Sequence, residues 1–311
     1  MNTNIQSEKE NNIDMDNVIK EFSIDSLKHD NLHERDSQIL FDEPTHVYTI
    51  LSDPGQKYTS VTTWNHHHFE EFNSDKIIDN MMNSKKWPQN KYFGKTKDEI
   101  KELWDQNRDE AAKAGTLMHY QIECFMNLGQ YTEIDDANLN ELLAVYENVS
   151  SKLSDVFSDT DSLEWKYFMN FVKDHGHFVP YRTEWTVFHE DVKLSGSIDM
   201  VFYDPANRNN LLIYDWKRSK EISFENRFGQ TSKTKCIRHM EDCNYSHYSL
   251  QLNVYRRILQ EKYNMKITKL ALVVLHPDNP YENYEVIDVP MLDKEMEDLW
   301  IYRKSQLEES K

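Results

Sequence analysis

The strongest constraint on the fold is a run of three apolar segments near the middle of the chain, at about 181–217. The segments YRTEWTVFHE, LSGSIDMVFYD and LLIYDWK are rich in β-branched and aromatic residues, which is typical of strands. Their connections are the short polar turns Glu190-Asp191-Val192-Lys193 and PANRNN. Short turns join antiparallel strands, because a parallel pair needs a crossover of roughly a dozen residues. The sequence therefore predicts an antiparallel meander of three strands.

The flanking sequence predicts helices around this meander. Residues 66–175 have a mostly helical pattern, with breaks at Pro88 and Gly94 and with Gly129 ending the helical segment RDEAAKAGTLMHYQIECFMNLG. Further on, YSHYSLQLNVYRRILQEKY repeats apolar residues at helical spacing, and KLALVVLHP is typical of a buried strand. The predicted fold class is α/β, with a mixed central sheet, helices on both of its faces and a helical N-terminal lobe.

The chain divides into an arm and one domain. Residues 1–38 are rich in Asn, Asp, Glu and Ser, which predicts a flexible acidic arm. Residues 39–311 are predicted to form a single domain. HVYTIL and KYTSVTTW predict a hairpin near its start, with the turn at 52–55. The rest of the domain comprises the helical lobe at about 66–175, the meander at about 181–217, and a C-terminal helix and strand at about 245–290.

The composition limits the class of protein. No apolar run approaches the roughly 18 residues of a membrane helix, and the polar N-terminus lacks a secretory signal. The three cysteines have no CxxC spacing and suit a reducing compartment. We therefore expect an intracellular protein, cytoplasmic or nuclear, that is neither secreted nor bound to a membrane. The sequence does not indicate which proteins it binds.

The charge of the chain is unevenly distributed. A formal net charge of −18 disfavours nucleic acid as a partner, yet residues 216–240 carry seven lysines and arginines against two glutamates, a local charge of +5. Charge runs are often only solvated loops, but a basic strip beside a strand end can hold a phosphate backbone. The candidate contacts to such a backbone are Arg218, Lys220, Lys233 and Lys235.

The last strand of the meander carries the clearest chemistry. Residues two apart on a strand share a face, so Asp215 and Lys217 point the same way while Trp216 points to the opposite side. A hairpin turn near 204–210 would bring Asp199 of the preceding strand close to Asp215. Converging carboxylates are typical ligands of Mg²⁺ or Mn²⁺, and a lysine beside them suits hydrolysis of a phosphodiester. Lys217 would then orient the attacking water or offset developing negative charge.

A second pair of polar residues lies on a predicted helix. His119 and Glu123 are four residues apart in GTLMHYQIE and therefore share one helical face. His119 can ligate a metal ion, while Glu123 can fix its tautomer or add a carboxylate.

Simpler explanations exist for each of these residues. A lone D-x-K on a strand is usually an exposed ion pair, and His119 could be a buried structural histidine. Glu184 is explained equally well as a carboxylate of the site and as a polar residue of an edge strand. Gln251 and Tyr255 could be ordinary residues of an amphipathic helix, and the histidines at 66–68 are expected in a loop or exposed. Four tryptophans could stack bases, although core packing is their default explanation: Trp64, Trp87, Trp104 and Trp185.

The order of the motifs resembles a known superfamily. GTLMHYQIE, GSIDMVF, LIYDWKRSK and the Q-x-x-x-Y of Gln251 and Tyr255 follow one another as in RecB-like PD-(D/E)XK nucleases. The resemblance covers roughly 104–259, about half of the chain. The frame around it is also similar to stand-alone members from large DNA viruses and phages and to the mitochondrial genome maintenance exonuclease. The motif's proline is absent here, since Ile198 precedes Asp199.

This resemblance implies a restriction-endonuclease-like core and a Mg²⁺- or Mn²⁺-dependent DNA nuclease, an exonuclease in replication, repair or recombination. It implies metal ligation by His119, Asp199, Asp215 and the carbonyl of Trp216, with Lys217 as the catalytic lysine. Gln251 and Tyr255 would face the DNA, single-stranded or at a duplex end. An iron–sulfur cluster is not expected, because three cysteines cannot supply the four ligands found in some relatives. A structure-selective endonuclease and a catalytically silent DNA-binding subunit remain the alternatives, and a viral replication site is a further possible location.

Overall fold

The computed structural model describes residues 24–128, 136–153 and 162–309, which form a mixed α/β fold. One six-stranded sheet lies between helices, and a two-stranded hairpin forms a second sheet that packs against Phe188 of the first. The helices are α1 (Ser26–Asp30), α2 (Val61–His66), α3 (Ser74–Met82), α4 (Lys97–Met126), α5 (Asp136–Leu153), α6 (Leu163–Asp174), α7 (Asn244–Lys262) and α8 (Asp293–Glu309). The strands are β1 (Ile39–Asp42), β2 (Val47–Ile50), β3 (Thr59–Ser60), β4 (Pro180–His189), β5 (Leu194–Tyr203), β6 (Asn210–Lys217), β7 (Lys266–Val274) and β8 (Glu285–Val289).

The predicted meander is confirmed as β4, β5 and β6. All three run antiparallel, with Trp185 opposite Ile198 and Met200 opposite Tyr214. β7 then pairs in parallel with β6, and β8 pairs antiparallel with β7. The parallel pair needs the long crossover that the 218–243 segment and α7 provide. The sheet is therefore mixed, as the sequence predicted.

The two faces of the sheet are covered by different helices. On one face, Tyr214 and Trp216 of β6 pack against aromatic residues of α4 and α6, including Phe125 and Phe168. On the other face, Ile213 and its neighbours pack against α7 and α8. A strand buried on both sides must be apolar throughout, which explains the near-continuous apolar run of β6. The exception is the end of β6, where Asp215 and Lys217 lie on the opposite side from Trp216.

The predicted helices of the 66–175 lobe are confirmed as α3, α4, α5 and α6. Pro88 lies in a short 3-10 turn and Gly94 adopts a φ of +87°, so both act as the predicted breaks. Thr96 and Glu99 form a capping box that begins α4, a helix of 30 residues. Gly129 lies outside the described residues. None of the helices within the described ranges is long and apolar enough to cross a membrane.

The predicted hairpin with its turn at 52–55 is wrong. β2 pairs with β1, with Ile39 opposite Ile50, and the turn lies at 43–46 instead. Only Thr59 and Ser60 of KYTSVTTW are extended, and they pair in parallel with β5. The Oγ of Ser60 accepts a hydrogen bond from the Thr63 N–H at 3.1 Å and begins α2. The cap at Ser60 begins a helix where the alternating sequence pattern predicted a strand.

The described part of the predicted arm is packed into the domain. Leu27 is buried, and its N–H donates to the side-chain oxygen of Asn127 at 3.0 Å. Asp36 accepts from Arg182 of β4 at 2.7 Å. Residues 24–38 therefore differ from the flexible arm predicted for 1–38, because polar contacts distant in sequence fix them. Residues 1–23 lie outside the described ranges.

Candidate metal centre

Three side chains from three elements converge at one end of the meander. His119 comes from α4, Glu184 from β4 and Asp199 from β5, and one ligand atom of each lies within 4.8 Å of the others. The Nδ1 atom of His119 is 3.5 Å from Glu184 Oε1 and 3.6 Å from Asp199 Oδ2. Two carboxylates and an imidazole nitrogen at this spacing could hold a metal ion.

The backbone of Trp216 orients this cluster. The β5–β6 register ends at Met200 and Tyr214, and just beyond it the Trp216 N–H donates to Asp199 Oδ2 at 3.1 Å. The carbonyl oxygen of Trp216 lies 3.0 Å from His119 Nε2. A carbonyl can only accept, so Nε2 carries a hydrogen, and when Nδ1 loses its proton its lone pair faces the carboxylates. This is the tautomer in which histidine ligates metals through Nδ1.

Glu184 occupies a strained position. Thr183 is opposite Met200 and Trp185 is opposite Ile198, which places Glu184 beside Asp199. Its φ of +40° is in the left-handed region that non-glycine residues rarely adopt. The Ser197 hydroxyl donates to its second carboxylate oxygen at 2.9 Å. Backbone strain of this kind is concentrated at functional sites. Of the two interpretations that the sequence left open, this geometry favours a carboxylate of the site.

Asp215 and Lys217 form an ion pair beside the cluster. Asp215 is only 2% exposed, and its Oδ1 has no hydrogen-bond partner among the residues that the structure describes. The ammonium of Lys217 lies 4.7 Å from the centre of the Tyr248 ring on α7. A buried carboxylate oxygen without a partner is costly, and a bound cation is one way to satisfy it.

The electrostatics of the site reflect its excess of carboxylates. Burial raises the pKa of Asp215 to about 7, and the charge of Asp199 adds to this effect. Burial also raises the pKa of Asp199. Burial alone would lower the pKa of His119, but the negative charges of Asp199 and Glu184 raise it to about 9. Burial, reinforced by Glu184, raises the pKa of Glu123 to about 8. The groups of the cluster therefore hold protons more tightly than they would in water.

The two predicted residues of α7 lie at different depths. Tyr255 is 3% exposed, and a Cβ at Gly196 would lie 2.8 Å from its ring, so glycine is required there. Gln251 is half-buried and forms a hydrogen bond with the Tyr255 hydroxyl. Tyr255 is thus placed to shape the floor of the site, and Gln251 is the more accessible of the two.

The predicted phosphate-binding residues divide into two groups. Arg218 is mostly buried and donates to Glu164 at 2.8 Å, and exposed Lys220 pairs with Asp278 at 3.0 Å. Lys233 and Lys235 are exposed on the loop that precedes α7. Lys233 and Lys235 are therefore more accessible to a phosphate backbone than Arg218.

The sequence did not identify three neighbours of the site. Ser197 binds Glu184, Tyr248 faces Lys217, and Tyr48 of β2 lies near the cluster, where burial and the charge of Glu184 raise its pKa to about 12. Tyr248 could have been found, because it shares a helical face with Gln251 and Tyr255. Nothing in the pattern links Tyr48 to the site.

Other predicted residues lie in the core. Trp64 and Trp185 are 1% and 0% exposed, which confirms core packing as their default explanation. His66 and His67 are exposed and His68 lies in the turn after α2, as expected, but His68 is buried, with Nδ1 2.9 Å from the Thr234 hydroxyl.

Comparisons with known proteins add little to this description. No family model and no curated protein matches the chain. Among solved structures, "Crystal structure of SSO0001" is 14% identical over 63% of this chain and 86% of that chain, with a TM-score of 0.24. A likeness at this TM-score carries no argument about fold or function.

Proposed function

We propose that this protein is a Mg²⁺- or Mn²⁺-dependent deoxyribonuclease with a RecB-like PD-(D/E)XK core. The observation that carries the proposal is the convergence of His119, Glu184 and Asp199. The acid–lysine pair of Asp215 and Lys217 on the adjacent strand supports it. The order of these residues along the chain agrees with the motifs of that superfamily.

The donor set fits a hard divalent cation. Carboxylate oxygens are the preferred ligands of Mg²⁺ and Mn²⁺, and one imidazole is compatible with Mn²⁺ in particular. In the proposal, Glu184, Asp199, Asp215 and Nδ1 of His119 hold the ion. The Oδ1 of Asp215 supports this assignment, because it is buried without a hydrogen-bond partner among the residues that the structure describes. The Trp216 carbonyl orients His119, and its direct ligation of the ion stays a prediction.

The metal would act as a Lewis acid on the phosphoryl oxygens and lower the pKa of a water molecule. The chain's own groups account for the remaining steps. Lys217 is held between Asp215 and the Tyr248 ring, so its charge is fixed next to the ligands and does not move freely in solvent. In that position Lys217 orients the attacking water or offsets the negative charge that develops on the phosphate.

Glu123 and Gln251 would act on the periphery of the same site. Glu123 lies one helical turn from His119, and its pKa is raised to about 8, so it can carry a proton near neutral pH. Gln251 lies above the buried Tyr255 and would contact the nucleotide. The preference for an exonuclease comes from the resemblance. A covalently closed circular DNA distinguishes it from an endonuclease, since only an endonuclease cuts the circle.

The test is cleavage of end-labelled linear DNA with Mg²⁺, with Mn²⁺ and with EDTA. We expect metal-dependent cutting by the wild type and a loss of about 10³-fold in Asp215→Asn and Lys217→Met. Lys269 and Asp288 provide matched controls, because they form an exposed acid–lysine pair on β7 and β8 at 2.8 Å. Lys269→Met and Asp288→Asn should keep full activity. Cutting in EDTA, or full activity in both site variants, would refute the proposal.

A further inference from the structure

The hairpin of β1 and β2 is seated on the strand that carries Glu184. Ile39 and Ile50 are opposite each other in the hairpin and are buried together with Phe188 of β4. Tyr48 of β2 packs against this group. The hairpin therefore borders the metal cluster on the Phe188 side of β4.

Small polar side chains line the sheet between Phe188 and Glu184. Thr186 lies between the two on β4, and Ser197 of β5 is opposite Thr186. Both are only half-buried, and the Ser197 hydroxyl donates to Glu184 at 2.9 Å. Four residues of a strand extend over about 13 Å. A polar, half-buried strip of this length therefore lies between the residue that anchors the hairpin and the metal cluster.

The ring of Tyr48 is held by two sets of contacts. It packs against the buried group at Phe188, and it stacks on the ring of Phe41, which is opposite Tyr48 in the hairpin. The centres of the two stacked rings are 4.5 Å apart. Such a stack stabilises both rings beyond the burial of their area. The position of the Tyr48 hydroxyl is therefore set by the packing of its ring.

The Tyr48 hydroxyl makes no hydrogen bond with any residue that the structure describes, although the side chain is half-buried. Tyrosine hydroxyls that are buried usually find a partner. Burial, and after it the charge of Glu184, raises the pKa of this hydroxyl to about 12, so the hydroxyl stays protonated and can donate. A donor without a partner therefore lies near the Glu184 carboxylate and outside the set of metal ligands.

A phosphate of the substrate is the acceptor that fits this donor. Hydroxyl groups of Ser, Thr and Tyr commonly donate to phosphate oxygens, and such bonds fix the register of a nucleic acid without reading its sequence. In the proposed function, Glu184 and Asp199 hold the metal that binds the scissile phosphate. Because Tyr48 makes no hydrogen bond with Glu184, the phosphate that its hydroxyl can reach is the next one along the DNA strand.

We propose that Tyr48 is a substrate-binding residue, whose hydroxyl donates a hydrogen bond to a non-bridging oxygen of the phosphate next to the scissile one. This inference rests on the proposed nuclease function and adds a contact to the same site. The contact is the same in the ground state and in the transition state, because this phosphate does not react. Tyr48 therefore contributes to the affinity for the substrate and not to the rate of the chemical step.

The test compares Tyr48→Phe with the wild type, because this change removes one oxygen and keeps the ring that packs against Phe188 and Phe41. We expect the dissociation constant of a fluorescein-labelled linear DNA, measured by anisotropy in Ca²⁺, to rise about tenfold. In cleavage with Mg²⁺, KM should rise by a similar factor while kcat stays near that of the wild type. Mn²⁺ affinity and the urea midpoint should not change, because the hydroxyl is neither a metal ligand nor paired within the protein.

Tyr302→Phe is the matched control. Tyr302 is 38% exposed on α8, and its ring centre lies 6.4 Å from that of His68, outside the metal cluster. Its hydroxyl likewise makes no hydrogen bond with a residue that the structure describes. Removal of this hydroxyl should leave DNA affinity, KM and the urea midpoint unchanged.

A methylphosphonate scan identifies the phosphate that accepts the bond. Each DNA in the scan carries a methyl group in place of one non-bridging oxygen, at one phosphate at a time. At the phosphate next to the scissile one, the replacement should weaken binding to Tyr48→Phe about tenfold less than binding to the wild type, because the bond is already absent in the variant. A purely structural role of Tyr48 would instead weaken the binding of every DNA in the scan by the same factor.

Equal DNA affinity and KM in Tyr48→Phe and the wild type would overturn the inference, and so would equal effects of every methylphosphonate on both proteins. The binding assay separates this failure from failure of the nuclease. Weaker binding by Tyr48→Phe that is coupled to one phosphate, together with no metal-dependent cutting by the wild type, would reject only the nuclease. Metal-dependent cutting with unchanged binding would reject only the role of Tyr48. A wild type that neither binds nor cuts DNA would reject both.

Discussion

Two buried acid–base pairs at the large sheet differ in how fully the carboxylate is hydrogen-bonded. At one end, Arg182 donates to Asp36 at 2.7 Å and to the Asn31 carbonyl at 3.0 Å, and the Trp185 indole donates to the other oxygen of Asp36 at 2.9 Å. At the other end, Asp215 pairs with Lys217 through Oδ2, while Oδ1 has no hydrogen-bond partner among the described residues. Burial is similar in the two clusters, but the number of partners differs.

The pKa values follow this difference. Burial would raise the pKa of Asp36, but its hydrogen bonds, first that from Arg182, lower it below the ordinary value. For Asp215, burial and the charge of Asp199 together raise the pKa to about 7 despite the ion pair with Lys217. The first cluster holds residues 24–38 against β4 and stabilises the fold. In the second cluster the raised pKa of Asp215 shows that its charged form is disfavoured, a property that is common at functional sites.

The largest expected effect is on activity at the second cluster. Glu184→Gln keeps the size of the side chain but removes a negative ligand, so DNA cleavage should fall about 10²- to 10³-fold with the fold intact. Initial rates on end-labelled DNA at several Mn²⁺ concentrations measure the loss of activity. Circular dichroism checks that the fold is intact. Partial rescue at high Mn²⁺ would support ligation, and wild-type rates at low Mn²⁺ would exclude it.

The next effect is on stability at the first cluster. Arg182→Met leaves Asp36 buried without its main partner, which should lower the free energy of unfolding by about 3–5 kcal/mol. Urea denaturation measures this loss. The rate of DNA cleavage per folded molecule should stay close to that of the wild type. A loss below roughly 1 kcal/mol would mean that the pair contributes little to the fold.

A matched pair of substitutions should change stability by different amounts. Asp36→Asn should destabilise the protein, because it removes a well-paired charge and leaves Arg182 without its partner. Asp215→Asn should cost less stability at pH 8 in EDTA, because the raised pKa of Asp215 shows that its charged form is disfavoured, which offsets part of the loss of its ion pair with Lys217. Thermal melting of both variants under the same conditions tests the contrast. An equal loss of stability in both variants would show that Asp215 is as well satisfied as Asp36.

The smallest expected effect is a change in the pH dependence of stability. The folded pKa of Asp36 is depressed from 3.8, so its contribution is complete above that value and is lost as pH falls through the lower folded pKa. In Arg182→Met the main partner is missing, and stability should fall less steeply below about pH 4. Urea midpoints at pH 5, 4 and 3 give the two slopes. Equal slopes in the wild type and the variant would show that Asp36 does not contribute to the loss of stability in acid.

Much of the fold could be predicted from the sequence, because its signals are local. The meander, α7 and β7 follow from apolar periodicity and short turns, and the shared face of Asp215 and Lys217 follows from strand geometry. The hairpin at 39–50 was missed because strand pairing is chosen by tertiary contacts. The packing of residues 24–38 depends on Arg182, which is distant in sequence.

The candidate site was predictable in part. His119, Asp199, Asp215 and Lys217 lie in motifs whose spacing suggests their chemistry. The position of Glu184 depends on a positive φ that no local pattern encodes. The pairing of Arg218 with Glu164 brings α6 against the end of β6, and a charge count along the chain cannot distinguish such a buried ion pair from a solvated cation.

Binding of Mn²⁺ measured by isothermal titration calorimetry tests the central claim most directly, because it asks whether the unsatisfied cluster holds a metal without requiring any reaction. We expect Asp199→Asn to raise the dissociation constant for Mn²⁺ about 100-fold relative to the wild type. Asp288→Asn makes the same carboxylate-to-amide change at an exposed position and should bind Mn²⁺ as the wild type does. Equal affinity in Asp199→Asn and the wild type would contradict the assignment of the metal to this site.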